Sequence, residues 1–233
     1  MTEMPPERAA RVATGIAGLD RVLHGGLLAH GVYLLVGPSG AGKTTLANQI
    51  AFFQAATAPV TYVTVLAETH TRLLGHIRQF GFFDPALVSK RITYLSGYQA
   101  FLESGYGGLS ALLQPLMLQQ ASGLLVVDGL PLITPGSAYD PSLKNLMHDL
   151  QTYSEFGRCT TLLLSPAHTG TWESRALMIV DGALELTRTL VPGGIRRTLQ
   201  IQVFRGAPHE PGIYPLVIDG SGIVVGEAAG ELG

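Results

Sequence analysis

The sequence is poor in charge and poorer in lysine. Charged residues make up 14 % of its 233 residues and the net charge is −2, so it carries no basic footprint for a nucleic-acid backbone. Lysine occurs at Lys43, Lys90 and Lys144 only. The single cysteine, Cys159, excludes an intrachain disulfide and fits a reducing cytoplasm, the expected location. No apolar run reaches the roughly 18 residues that a membrane-spanning helix requires. The opening MTEMPPERAA is polar and carries acids, unlike a signal peptide. What the chain has in quantity is apolar residue, 46 % of the total. That is enough for a substantial core in one large α/β domain. The low charge points either to buried subunit interfaces or to a large core beneath a Gly-rich surface.

After a polar lead-in over residues 1–13, short apolar runs alternate with helix-like stretches. VYLLV (Val32–Val36), VTYVTVL (Val60–Leu66), RITYLS, GLLVVD (Gly123–Asp128) and CTTLLLS (Cys159–Ser165) read as strands. Between them, TTLANQIAFFQAA, TRLLGHIRQF, LSALLQPLMLQQA and SLKNLMHDLQTYSEF read as helices, with Pro115 kinking or starting the third. Leu73, Leu74, Ile77 and Phe80 share one helical face, as do Leu143, Leu146, Met147, Leu150 and Tyr153. Strands apolar on both faces and separated by helices predict a mostly parallel sheet covered on both sides. From about residue 176 the helices stop. LMIVD, ALELTR, RRTLQIQVFR, YPLVID and GIVVG follow one another across Gly/Pro/Asp turns and predict an antiparallel extension. With no linker or repeat, residues 14–228 read as a single domain and 229–233 as a tail.

One stretch carries chemistry, GPSGAGKTT. Gly37, Gly42, Lys43 and Thr44 match G-x-x-x-x-G-K-[ST], with a strand before and a helix after. In such a loop the backbone N–H groups of Gly37, Pro38–Ala41, Gly42 and the residues to Thr45 curl inward around phosphate oxygens, proline excepted. The positive end of the helix dipole adds to the attraction. Lys43 would reach the β- and γ-phosphates and the Thr44 hydroxyl would ligate Mg²⁺. Pro38, Ser39, Gly40, Ala41 and Thr45 complete the expected ATP-binding segment. Asp128 ends an apolar strand at the edge where ligands of parallel sheets bind, and is the expected partner of the metal shell. Six of the histidines, among them His70 and His168, show no metal-ligand spacing around a cysteine and read as ordinary polar residues. Ser165, ending the fifth strand, is a candidate sensor of the terminal phosphate.

Together these residues resemble the circadian-clock KaiC-like family of RecA-fold ATPases, over nearly the whole chain. ATGIAGLDRVLHGGL is similar to the family's opening motif, VTVLAET…RQFGF to its second strand and following helix, and RRTLQIQVFRGAPHEPGIYPLVIDGSGI to its C-terminal hairpin. The resemblance implies a RecA-like core and a homo-oligomeric ring, usually of six subunits, with ATP and Mg²⁺ at subunit interfaces. The family's R-G-x-x-H is present as Arg205, Gly206 and His209. It implies that Arg205 approaches the γ-phosphate held by a neighbouring subunit and that His209 lies near the base or ribose.

The chain also departs from the pattern. Relatives carry two adjacent glutamates after the second core strand, and here the pair reads Ala67-Glu68. Hydrolysis needs a carboxylate to orient or deprotonate the attacking water, which leaves Glu68 as the candidate. A lysine two residues before the arginine is replaced by Val203. The Ser-Thr pair that some relatives phosphorylate is replaced by Leu177-Met178, with Thr171 and Ser174 displaced, so no autokinase activity is expected. The expected function is that of a slow ATPase acting as a nucleotide-dependent switch, read by an unidentified protein partner. A non-hydrolysing ATP-binding scaffold and a DNA-recombination paralogue are the alternatives. For the last, the loops GLPLITPGSAYDP and PAHTGTWESR hold one basic residue, Arg175, where phosphate contacts need several. Neither DNA nor a membrane is an expected partner. Trp172 fits a partner contact or local packing equally.

Overall fold

The computed structural model describes residues 10–67, 69–118, 122–131, 141–166 and 179–228. In chain order the elements are β1 (Arg11–Val12), α1 (Ala17–Val22), β2 (Leu27–Leu28), β3 (Val32–Gly37), α2 (Lys43–Gln54), β4 (Val60–Thr64), α3 (His70–Ile77), β5 (Ile92–Ser96) and α4 (Tyr98–Leu118). They continue with β6 (Leu124–Asp128), α5 (Pro141–Phe156), β7 (Thr160–Pro166), β8 (Gly182–Val191), β9 (Gly194–Phe204), β10 (Ile213–Asp219) and β11 (Gly222–Val225). Strands β3 to β11 form one sheet in the order β11-β10-β9-β8-β3-β7-β6-β4-β5. The six strands from β8 to β5 run parallel, and β9, β10 and β11 turn back on one another.

Strand β3 shows why the apolar runs do not alternate. Its whole length is buried, because successive side chains point to opposite faces and each face has its own core. Tyr33 and Leu35 join the layer that holds Leu19, Leu46, Ile50, Leu73 and Ile77, from α1, α2 and α3. Val32, Leu34 and Val36 join the opposite layer, with Leu109 and Leu113 of α4 and Leu146, Met147 and Leu150 of α5. The chain leaves β3 for β4 and β5, then returns through β6 and β7 to lie beside β3 again. That reversal of strand order opens a crevice at the carboxyl ends of β3 and its neighbours, the place where open α/β sheets bind ligands.

Several local expectations differ from the structure. Arg11 and Val12, assigned to the lead-in, pair with Leu28 and Leu27, because the Arg11 guanidinium donates to the carbonyls of Leu23 and Gly26 and draws the segment in. Helix α4 begins at Tyr98, eleven residues before the first residue of the expected helix; it breaks at Gly105 (φ 56°, ψ −140°) and carries Pro115 within it. Ile179–Asp181, expected in a strand, is a bend. There the Asp181 carboxylate accepts from the Val32 N–H at 2.7 Å and the Asp181 N–H donates to the Val32 carbonyl at 2.9 Å. This clasp stops the bend from pairing and starts β8 at Gly182. The first strand of the expected antiparallel extension is therefore parallel to β3, and the antiparallel part begins at β9.

The terminal hairpin is tied to the rest of the domain by close approach. The Gln49 amide of α2 accepts from the Ile223 N–H at 2.6 Å and donates to the Ile223 carbonyl at 3.2 Å, so it imitates a neighbouring strand. Gly18 of α1 lies so close to β11 that a Cβ there would sit 1.9 Å from the Val225 carbonyl oxygen. Alanine in a helix interior is favoured over glycine by about 0.5–1 kcal/mol, but overpacking against backbone costs about 1–3 kcal/mol. Gly18→Ala should therefore destabilise the protein by about 1–2 kcal/mol in denaturant unfolding, the reverse of the helix-propensity expectation.

Candidate phosphate-binding site

Strand β3 delivers Gly37 to the crevice, and α2 starts at Lys43 only six residues later. The intervening turn is tight. Gly42, the residue before the helix, has φ 110°, and a Cβ there would lie 2.9 Å from Cδ1 of Ile218. At Gly37 a Cβ would meet the Leu186 carbonyl oxygen at 2.2 Å. Both positions require glycine, one for its backbone angle and both for space. The loop is thus pressed against strands β8 and β10 of its own domain. No side chain caps the start of α2, so its first N–H groups are oriented toward the loop's concavity.

Lys43 donates to the carbonyls of Gly37 at 2.6 Å and Pro38 at 3.0 Å, so its ammonium is held within the loop. Burial pulls its pKa below the usual lysine value, and the nearby Asp128 carboxylate acts in the opposite sense. The Thr44 hydroxyl donates to Oδ2 of Asp128 at 2.9 Å. Asp128 is 4 % exposed and ends the fully buried β6. A hydroxyl and a carboxylate side by side at the loop's edge are hard oxygen donors of the kind that Mg²⁺ takes together with substrate phosphates, so the residues present fit that ion.

A family model described as "ATPase: KaiC" matches residues 12–230. The chain belongs to the KaiC ATPase family. It is 23 % identical to a UPF0273 protein of Pyrococcus horikoshii, over 92 % of this chain and 93 % of that one. It is also 26 % identical to the circadian clock oscillator protein KaiC of Parathermosynechococcus lividus, over 90 % of this chain but 41 % of that longer protein. The crystal structure of a KaiC-like protein from Pyrococcus horikoshii superposes with a TM-score of 0.72 at 26 % identity, covering 94 % of this chain and all of the other. The α/β sheet with its antiparallel C-terminal strands is the RecA-like fold of this KaiC-like group.

Arg205 and His209 lie elsewhere. Gly182 pairs with Phe204, and Glu185, level with Val36 of β3, pairs with Gln200. Arg205, one residue beyond β9, therefore lies level with Asp181, four residues before Glu185 once the bulge at Gln202 is counted; at a strand rise of about 3.4 Å per residue this is about 14 Å from the level of Val36, toward the end of the sheet away from the phosphate loop. It is exposed, and its N–H donates to the Asp181 carbonyl at 2.7 Å. His209 stands edge-on to Phe204, ring centres 6.0 Å apart. Ser165, buried at the end of β7, donates to the Pro166 carbonyl at 3.3 Å. Glu68, Thr171, Trp172, Ser174, Arg175, Leu177 and Met178 are outside the described residues.

Two arginines at the loop were not singled out from the sequence. Arg197 of β9 donates from Nε to the Gly40 carbonyl at 3.1 Å, and the Arg188 side chain would lie 3.5 Å from a Cβ at Gly40. The signal for them is the turn. Val191 pairs with Gly194 across Pro192-Gly193, and counting back from that register sets Arg188 opposite Arg197. Like charges opposite each other on a hairpin are unfavourable, and a bound anion would offset the repulsion.

The lowered Lys43 pKa gives a pH dependence with a definite sign. The cation that holds an anion is lost as pH rises through a value below the usual lysine 10.5. Affinity for inorganic pyrophosphate, measured calorimetrically between pH 7.5 and 10, should fall before an ordinary lysine would begin to titrate.

Proposed function

We propose that the protein binds ATP with Mg²⁺ in the Gly37–Thr45 loop and hydrolyses it slowly. It does so within a homo-oligomeric ring that serves as a nucleotide-dependent regulatory switch. The observation that carries this reading is the pairing of Thr44 and Asp128 beside a glycine-formed loop, in a member of the KaiC ATPase family. In this reading the loop's N–H groups and Lys43 hold the phosphates, and Arg188 and Arg197 add positive charge from the same chain. Thr44 and Asp128 hold the metal, which neutralises charge on the transferring phosphoryl group. Glu68 orients or deprotonates the attacking water.

The placement of Arg205 supports a site shared between copies. It lies level with the start of β3, at the opposite end of the sheet from its own phosphate loop, so the nucleotide it serves is one held by a second subunit. A trans arginine stabilises charge that develops on the phosphoryl group and makes turnover depend on assembly. His209, four residues on, would accompany it to the base or ribose.

Ala67 favours a second reading, an ATP-binding scaffold without catalysis. It presents a methyl group at the end of β4, beside the expected water-orienting position, and Val203 supplies no second cation on β9. Steady-state hydrolysis separates the two. Turnover per subunit should rise with protein concentration, and Glu68→Gln should abolish it. Arg205→Ala should lower it about 10³-fold or more while leaving ATP binding by the isolated subunit intact. Lys43→Ala should abolish binding. ATP binding with no turnover at any concentration would establish the scaffold instead. Binding of DNA that weakens steeply with salt would favour the recombination reading.

A further inference from the structure

Behind the Thr44–Asp128 pair lies a chain of buried polar groups that phosphate binding alone does not require. Tyr62, fully buried on β4, donates from its hydroxyl to Oδ2 of Asp128 at 2.7 Å. Asn48, fully buried on α2, donates from Nδ2 to the Tyr62 hydroxyl at 3.2 Å and to the Thr44 carbonyl at 2.8 Å. Its Oδ1 accepts from the hydroxyl of Tyr94 on β5 at 2.8 Å. Every proton in this chain points the same way, from Tyr94 through Asn48 and Tyr62 to the Asp128 carboxylate.

We propose that Tyr62, oriented by Asn48 and Tyr94, is a positioning residue for the metal-binding pair. This rests on the reading above that Thr44 and Asp128 hold Mg²⁺. A carboxylate held by one donor can swing about its terminal torsion. Two donors, Thr44 from α2 and Tyr62 from β4, meet on Oδ2 of Asp128, and a swing of that oxygen breaks one of the bonds. The same Asn48 amide grips the Thr44 backbone carbonyl, so both prospective ligands are set by one group. A tyrosine side chain carries its hydroxyl proton at neutral pH, and so Tyr62 is the donor in its bond to Asp128. A phenylalanine at 62 would fill the same space without a polar atom to satisfy, and core packing gives no reason for the hydroxyl. Outer partners of metal ligands contribute about 10–100-fold in metal affinity.

The test is metal affinity read apart from nucleotide affinity and from turnover. Mn²⁺ binding in the presence of ADP is followed by the electron paramagnetic resonance signal of the free ion. ADP binding in EDTA is measured calorimetrically on the same samples. Tyr62→Phe should weaken Mn²⁺ binding about 10–100-fold and leave metal-free ADP binding within about twofold. Tyr94→Phe, which removes the outermost donor while sparing the bond to Asp128, should show the same selectivity with a smaller effect, about two- to fivefold. It serves as the deciding variant where Tyr62→Phe lowers the folded fraction. Unchanged Mn²⁺ affinity in both variants would overturn the inference. So would an equal loss of metal-free ADP binding, the mark of a merely structural role. Failure of the unaltered protein to bind Mn²⁺ with ADP would overturn the metal reading itself, and the inference with it.

Discussion

A hydrogen bond of 2.9 Å joins the Thr44 hydroxyl to the Asp128 carboxylate across 84 residues of sequence. For the two groups to meet, β3 must end where α2 begins, and β6 must end level with that junction. Parallel pairing of β3 with β7, and of β7 with β6, sets Asp128 level with Leu164 and Leu35, two residues before β3 ends at Gly37. The buried carboxylate is also the most demanding group in the site, because an ionised side chain at 4 % exposure needs donors or a cation. The two-faced sheet brings those donors: Thr44 from the helix above it and Tyr62 from the strand beside it.

The glycines of the loop express the same constraint on the backbone side. Strand β8 runs alongside β3 and passes within contact distance of Gly37, while Ile218 of β10 closes on Gly42. The antiparallel strands are thus part of the wall of the phosphate loop, and Gln49 fastens α2 to β11 behind it. A movement of β8 to β11 would be felt at the loop, and Arg205 directly follows β9 of that same unit.

The phosphate loop was legible in the sequence because its chemistry is local. Glycine, lysine and threonine at fixed spacing act through neighbouring backbone, and strand and helix flank them in the chain. The parallel sheet was legible because strands buried on both faces lose the alternation of polar and apolar residues. Ile179–Asp181 was misread because apolar composition does not distinguish a strand from a bend whose own aspartate, Asp181, is clasped to Val32 of β3. The expected helix began at Leu109, whereas α4 starts at Tyr98 and breaks at Gly105, where a positive φ costs glycine little.

What the sequence determined by itself is therefore the class of fold and the loop, with Lys43, Thr44 and Asp128 as its candidate residues. Each is fixed by periodicity or by a motif shorter than ten residues. Tertiary structure decided which residues surround them. Arg188 and Arg197 reach the loop through hairpin register, and Tyr62, with Asn48 and Tyr94 behind it on two other elements, reaches Asp128. Arg205 is carried to the end of the sheet away from its own loop. Those relations depend on strand order, and strand order is set by the packing of whole faces against each other. No local pattern of residue types encodes it.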